Sequence, residues 1–78
     1  MTSDYHKKVK DVIATKAGVD LDEIEPESYF EDDLNLSQLE LVEILAELEE
    51  IFQIELMESK DDIETVQDLF DLVGEQVE

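Results

Sequence analysis

The 78-residue chain sets 24 acidic residues against five lysines and no arginine, a formal charge of −19, with 42% apolar residues and no cysteine. That balance excludes disulfides and cysteine-type zinc sites. It argues against nucleic acid and anionic membranes, whose phosphates need lysine or arginine, and against disorder, which pairs high charge with low hydrophobicity. A chain this short hides only about 60% of its unfolded surface, so the expectation is one marginally stable domain, residues 1–78, with basic protein surfaces as its complement. No apolar run approaches the roughly 20 residues of a membrane span and no signal-peptide pattern opens the chain, which together predict a soluble, cytoplasmic protein; a monomer is expected.

Tyr5, Val9, Val12, Ile13 and Ala17 recur at three- and four-residue spacing, which predicts a helix with one apolar stripe, capped by Ser3 and ended by Gly18. Four of the five lysines, Lys7, Lys8, Lys10 and Lys16, fall on it, so the rest of the chain is almost purely acidic. Gly18 to Leu36 is a long connection holding the only proline, Pro26. A connection of that length in a small domain is functional or packed by its own side chains. Val19, Leu21, Ile24, Tyr29, Phe30 and Leu34 are its expected anchors, with a short helical turn near Leu21–Ile24.

A second helix is predicted from Ser37. Ser37-Gln38-Leu39-Glu40 fits a capping box in which the serine hydroxyl and the Glu40 carboxylate satisfy each other's backbone N–H groups. Leu41, Ile44, Leu45, Leu48 and Phe52 form its inward stripe, and Glu40, Glu43, Glu47 and Glu50 its outward one. Leu39, Val42 and Ala46 lie on the flank between them. Ile54–Asp62 reads as a loop with a short helical turn. Thr65-Val66-Gln67-Asp68 is a second start of the capping-box type, opening a helix through Val66, Leu69, Phe70 and Val73 towards Gly74. The expected fold is therefore all-α: a small antiparallel four-helix bundle of three main helices and one short one, with a long first loop.

These segments in this order resemble the acyl carrier protein family over nearly the whole chain. Val9-Lys10, Val12-Ile13 and Gly18-Val19 look like the family's first helix and its exit. Phe30 and Asp33-Leu34 look like the approach to its second helix, and Leu39, Val42-Glu43-Ile44, Leu48-Glu49-Glu50 and Phe52 like its acidic recognition helix. Ile63 and Thr65-Val66-Gln67-Asp68 look like the start of the last helix. The resemblance implies a carrier whose serine, in Asp-Ser-Leu, bears 4′-phosphopantetheine taken from coenzyme A by a phosphopantetheinyl transferase. The arm's thiol would hold acyl, polyketide or aminoacyl groups as thioesters, and basic patches on the enzymes that load and unload it would dock on the acidic helix.

The attachment motif departs from the family. Aligned without gaps, Ser37 stands at the aspartate position and Gln38 at the serine position, and glutamine has no hydroxyl to esterify. Either Ser37 is the modified residue, displaced by one, or the domain is an interaction module without an arm. Ser37 as cofactor site has physical merit because a helix N-terminus favours a phosphate; as a plain cap it is worth about 1 kcal/mol. Leu36, Leu39, Glu40, Val42, Glu43, Ala46, Glu47 and Glu50 are the expected partner-docking residues.

No nucleophile–base pair, glycine-rich phosphate loop or metal-ligand spacing is present, so no enzymatic activity is expected. His6, the only histidine, sits among lysines and offers no metal site. Asp20, Asp22 and Glu31 mimic three positions of a calcium loop, but Glu25 occupies the position where a glycine is required. Two carboxylates about 12 Å apart in water repel by roughly 0.3 kcal/mol before screening, and loose divalent binding would relieve that repulsion. Millimolar magnesium or calcium should therefore raise the melting temperature more than sodium at matched ionic strength; equal shifts would exclude site-like binding.

Overall fold

The computed structural model describes residues 4–77, and side chains from residue 5. The chain forms α1 (Asp4–Ala17), a 3₁₀ turn (Leu21–Glu23), α2 (Gln38–Phe52), a six-residue second 3₁₀ segment (Met57–Asp62) and α3 (Val66–Val77). The all-helical bundle expected from the sequence is what forms, with the second 3₁₀ segment in the place of the short helix. Val9, Val12 and Ile13 of the α1 stripe are buried, while Tyr5 and Ala17 pack at its edge. Gly18 ends α1 at φ 74°, and the N–H groups of Gly18 and Val19 both donate to the Ala14 carbonyl, at 2.8 and 3.2 Å. A side chain in that left-handed conformation would be strained. The Ser3 cap lies outside the described residues.

The core is aliphatic with a few aromatic rings. Leu41, Ile44, Leu45 and Leu48 of α2 meet Val9 and Ile13 of α1 and Val66, Leu69, Phe70 and Val73 of α3, all buried. Phe52 packs against this core without being enclosed by it. His6 lies flat on Phe70, with ring centroids 4.2 Å apart and planes 17° from parallel, so the lone histidine is a packing residue.

The long connection does pack on itself, through Ile24, Phe30, Leu34 and Leu36. Tyr29 is a correction to the expected anchors, since it is 47% exposed. The backbone there is extended and forms an antiparallel bridge with Thr65, and extended residues alternate sides, so Phe30 turns inward and Tyr29 outward. Phe30 N–H donates to the Glu64 carbonyl at 3.0 Å and Val66 N–H to the Ser28 carbonyl at 3.0 Å, fastening the connection to the start of α3. Thr65 and Asp68 form the expected reciprocal cap. Asp68 N–H donates to Thr65 Oγ1, and the Asp68 carboxylate accepts from the N–H groups of Thr65 and Glu64.

α3 continues through Gly74, the last position named from the sequence, and runs on to Val77. Two tertiary contacts account for this. The Tyr5 phenol lies over Gly74, where an added Cβ would come within 2.5 Å of Oη, and the Gln76 side-chain amide pairs with both the N–H and the carbonyl of Glu55.

The turn out of α2 is built on one side chain. Gln53 adopts a left-handed conformation, φ 59°, and the Glu49 carboxylate reaches past it to accept from Leu56 N–H at 2.7 Å and Met57 N–H at 3.0 Å. These N–H groups open the second 3₁₀ segment and have no partner within it. Glu49→Ala should destabilise the protein by about 1–3 kcal/mol, the range for hydrogen bonds to a charged group that leave donors unsatisfied. Glu47→Ala, which removes the same charge from an exposed position, should be neutral or slightly stabilising. Chemical denaturation of the pair checks this, and equal effects would refute the clamp.

Candidate functional site at the start of α2

Ser37 is the hinge between the long connection and α2. Its backbone is extended (φ −75°, ψ 168°), its Oγ accepts from Glu40 N–H at 3.2 Å, and Glu40 Oε1 accepts from Ser37 N–H at 2.9 Å. The capping box read from the sequence is thus complete. Ser37 is exposed, and among the hydrogen bonds of the described residues its Oγ appears only as an acceptor. Gln38, the first residue of α2, is also exposed and brings no hydroxyl. The unpaired N–H groups and the dipole of the 15-residue α2 favour an anion at this end.

A cavity of about 350 Å³ opens beside Ser37, between the 29–36 loop, the first turn of α2 and the second 3₁₀ segment. Phe30, Leu36, Leu41 and Ile63 give it an apolar floor. Leu36 corrects an expectation: at 3% exposed it is a core residue, its N–H bound to the Phe30 carbonyl at 2.8 Å, and it offers a partner no surface. It lines the cavity instead.

The other expected docking residues share one side of α2. Glu43, Glu47, Glu50 and Ala46 are exposed, Leu39 is 68% exposed, and Glu40 and Val42 are half-buried. One feature of this face was not read from the sequence. Lys16, in the last turn of α1, reaches across to Glu43, with Nζ to Oε1 at 2.9 Å. The hydrogen bond and charge of Glu43, joined by the charges of Glu47 and Glu40, hold the lysine pKa above its ordinary value. Periodicity places both residues at helix surfaces but does not say which surfaces face each other. No group of three or more His, Cys, Asp or Glu side chains suited to a metal ion forms among the described residues. No helix among them is long and apolar enough to cross a membrane.

Residues 7–73 match the family described as "Phosphopantetheine attachment site". The chain is 43% identical over 68 residues to the acyl carrier protein of Chlorobium phaeobacteroides, covering 86% of this chain and 87% of that one. It is 40% identical to the acyl carrier protein of Chlorobium luteolum (91% and 92% covered), and 37% identical to that of Thermosynechococcus vestitus (96% and 94% covered). A phosphopantetheine-type carrier is therefore the class that the fold and the site define, and the chain belongs to the acyl carrier protein family. Members of that family are carriers and not catalysts, in line with the absence of catalytic parts in the sequence.

Membership implies a covalent 4′-phosphopantetheine group, which needs a side-chain hydroxyl for its phosphodiester. The residues at the start of α2 fit that group at Ser37, whose hydroxyl is exposed at the favourable helix end and beside the cavity; Gln38 does not fit it. Because Ser37 also caps α2, Ser37→Ala should lower stability by about 1 kcal/mol, whereas Ser37→Asp, which keeps an acceptor for Glu40 N–H, should stay within about 0.5 kcal/mol of wild type. Urea denaturation measures both, and an Ala variant as stable as wild type would show the cap to be idle.

Proposed function

We propose that this protein carries acyl, polyketide or aminoacyl groups as thioesters on a 4′-phosphopantetheine arm attached to Ser37. Partner enzymes with basic patches dock along α2 through Glu40, Glu43, Glu47 and Glu50, with Leu39, Val42 and Ala46 as apolar contacts. The observation that carries this reading is the exposed Ser37 hydroxyl at the N-terminus of α2, where the electrostatics favour a phosphate. In the attachment step, catalysed by a phosphopantetheinyl transferase, Ser37 Oγ attacks the pantetheine-bearing phosphorus of coenzyme A. The Oγ–P bond forms, the phosphoanhydride P–O bond breaks, adenosine 3′,5′-bisphosphate leaves and the hydroxyl proton passes to a base of the transferase. Once attached, the arm supplies the thiol. The chain itself anchors the arm, presents it and displays α2 to partners.

A second reading, an interaction module of the same fold without an arm, draws on Gln38 at the first helical position and on the use of Ser37 Oγ as a cap. Intact mass after incubation with coenzyme A and a broad-specificity transferase separates the two. The carrier gains about 340 Da, the mass of the arm, and the gain disappears in both Ser37→Ala and Ser37→Asp. Because Asp retains the cap, that loss is attributable to the hydroxyl and not to unfolding. No gain with several transferases favours the module.

A further inference from the structure

Lys60 is the one lysine that does not lie on α1. It belongs to the second 3₁₀ segment, and that segment brings it to the same cavity as Ser37. No other basic side chain occurs from Gly18 onward, and the cavity rim is otherwise acidic, carrying Glu31, Asp32, Asp61 and Glu64. A phosphodiester beside Ser37 would meet four carboxylates, with Lys60 as the single cation to offset them. The ammonium is available for this. Its one ion-pair contact among the described residues is with Asp61 Oδ1 at 3.5 Å, between sequence neighbours whose side chains are 41% and 82% exposed, a class of pair that contributes little.

We propose that Lys60 is the positioning residue for the prosthetic group: its ammonium exchanges Asp61 for the phosphodiester on Ser37 and holds the first atoms of the arm at the cavity mouth. This rests on the attachment at Ser37. It also gives the second 3₁₀ segment a role that its sequence, Met57-Glu58-Ser59-Lys60-Asp61-Asp62, does not announce. The arm's path is then set by one charge contact, which added salt weakens.

The test uses the full chain loaded from coenzyme A by a broad-specificity transferase, as wild type, Lys60→Ala, Lys60→Arg and the control Lys8→Ala, which removes an exposed lysine of α1. Intact mass establishes loading, and phosphorus NMR of the loaded protein reads the phosphodiester. In wild type and Lys8→Ala its resonance should move with added salt at neutral pH. Lys60→Ala should show no such response. Lys60→Arg should restore the salt response, because guanidinium keeps the positive charge. A fully loaded wild type whose resonance ignores salt, or responds to it as Lys60→Ala does, overturns the role of Lys60 and leaves the attachment standing. A wild type that gains no mass overturns both. Should Lys60→Ala load too slowly to study, Lys60→Gln, which also removes the charge, takes its place.

Discussion

A chain with this excess of negative charge depends on carboxylates placed against backbone N–H groups. Asp33 accepts from Tyr29 N–H, Glu40 from Ser37 N–H, Glu49 from Leu56 and Met57 N–H, and Asp68 from Glu64 and Thr65 N–H. Each of these donors lies at a turn or at the opening of a helical segment, where intrahelical partners are lacking and the local potential is positive. The acids therefore define where elements begin while lowering their own repulsion. Lysines contribute little by comparison: the three ion pairs among the described residues are all at the surface, and such pairs contribute about 0–1 kcal/mol.

That arrangement couples the core to the site. The inward stripe of α2 is fixed by α1 and α3, so the N-terminus of α2, and with it Ser37, has a defined position. The bridge between Tyr29 and Thr65 draws the long connection onto the start of α3, while Glu49 sets the start of the second 3₁₀ segment. The cavity beside Ser37 is what these three constraints leave between them. No charged or polar residue among those described is fully buried, so their charge is carried at the surface.

The elements legible in the sequence were those defined by local rules. The stripes of α1, α2 and α3, the left-handed exit at Gly18 and the capping boxes at Ser37 and Thr65 all follow from residues three or four apart. What escaped was set by segments distant along the chain. The outward turn of Tyr29 depends on Thr65, the continuation of α3 past Gly74 depends on Tyr5 and Glu55, and the burial of Leu36 depends on the packing of the connection around Phe30. At the site, Ser37 and its cap were readable. The roles of Lys16 and Lys60 were not, because a lysine's sequence position gives no hint of which acidic surface it will face once the helices are packed.

The two glycines close a common route to thermostabilisation. Replacing glycine by alanine ordinarily restricts the unfolded chain and favours the native one. At Gly18 the positive φ would turn that advantage into backbone strain, and at Gly74 the new methyl would have to lift the Tyr5 ring from its seat. Sturdier versions of this scaffold would have to come from thinning its negative surface, the same surface that its partners are expected to read.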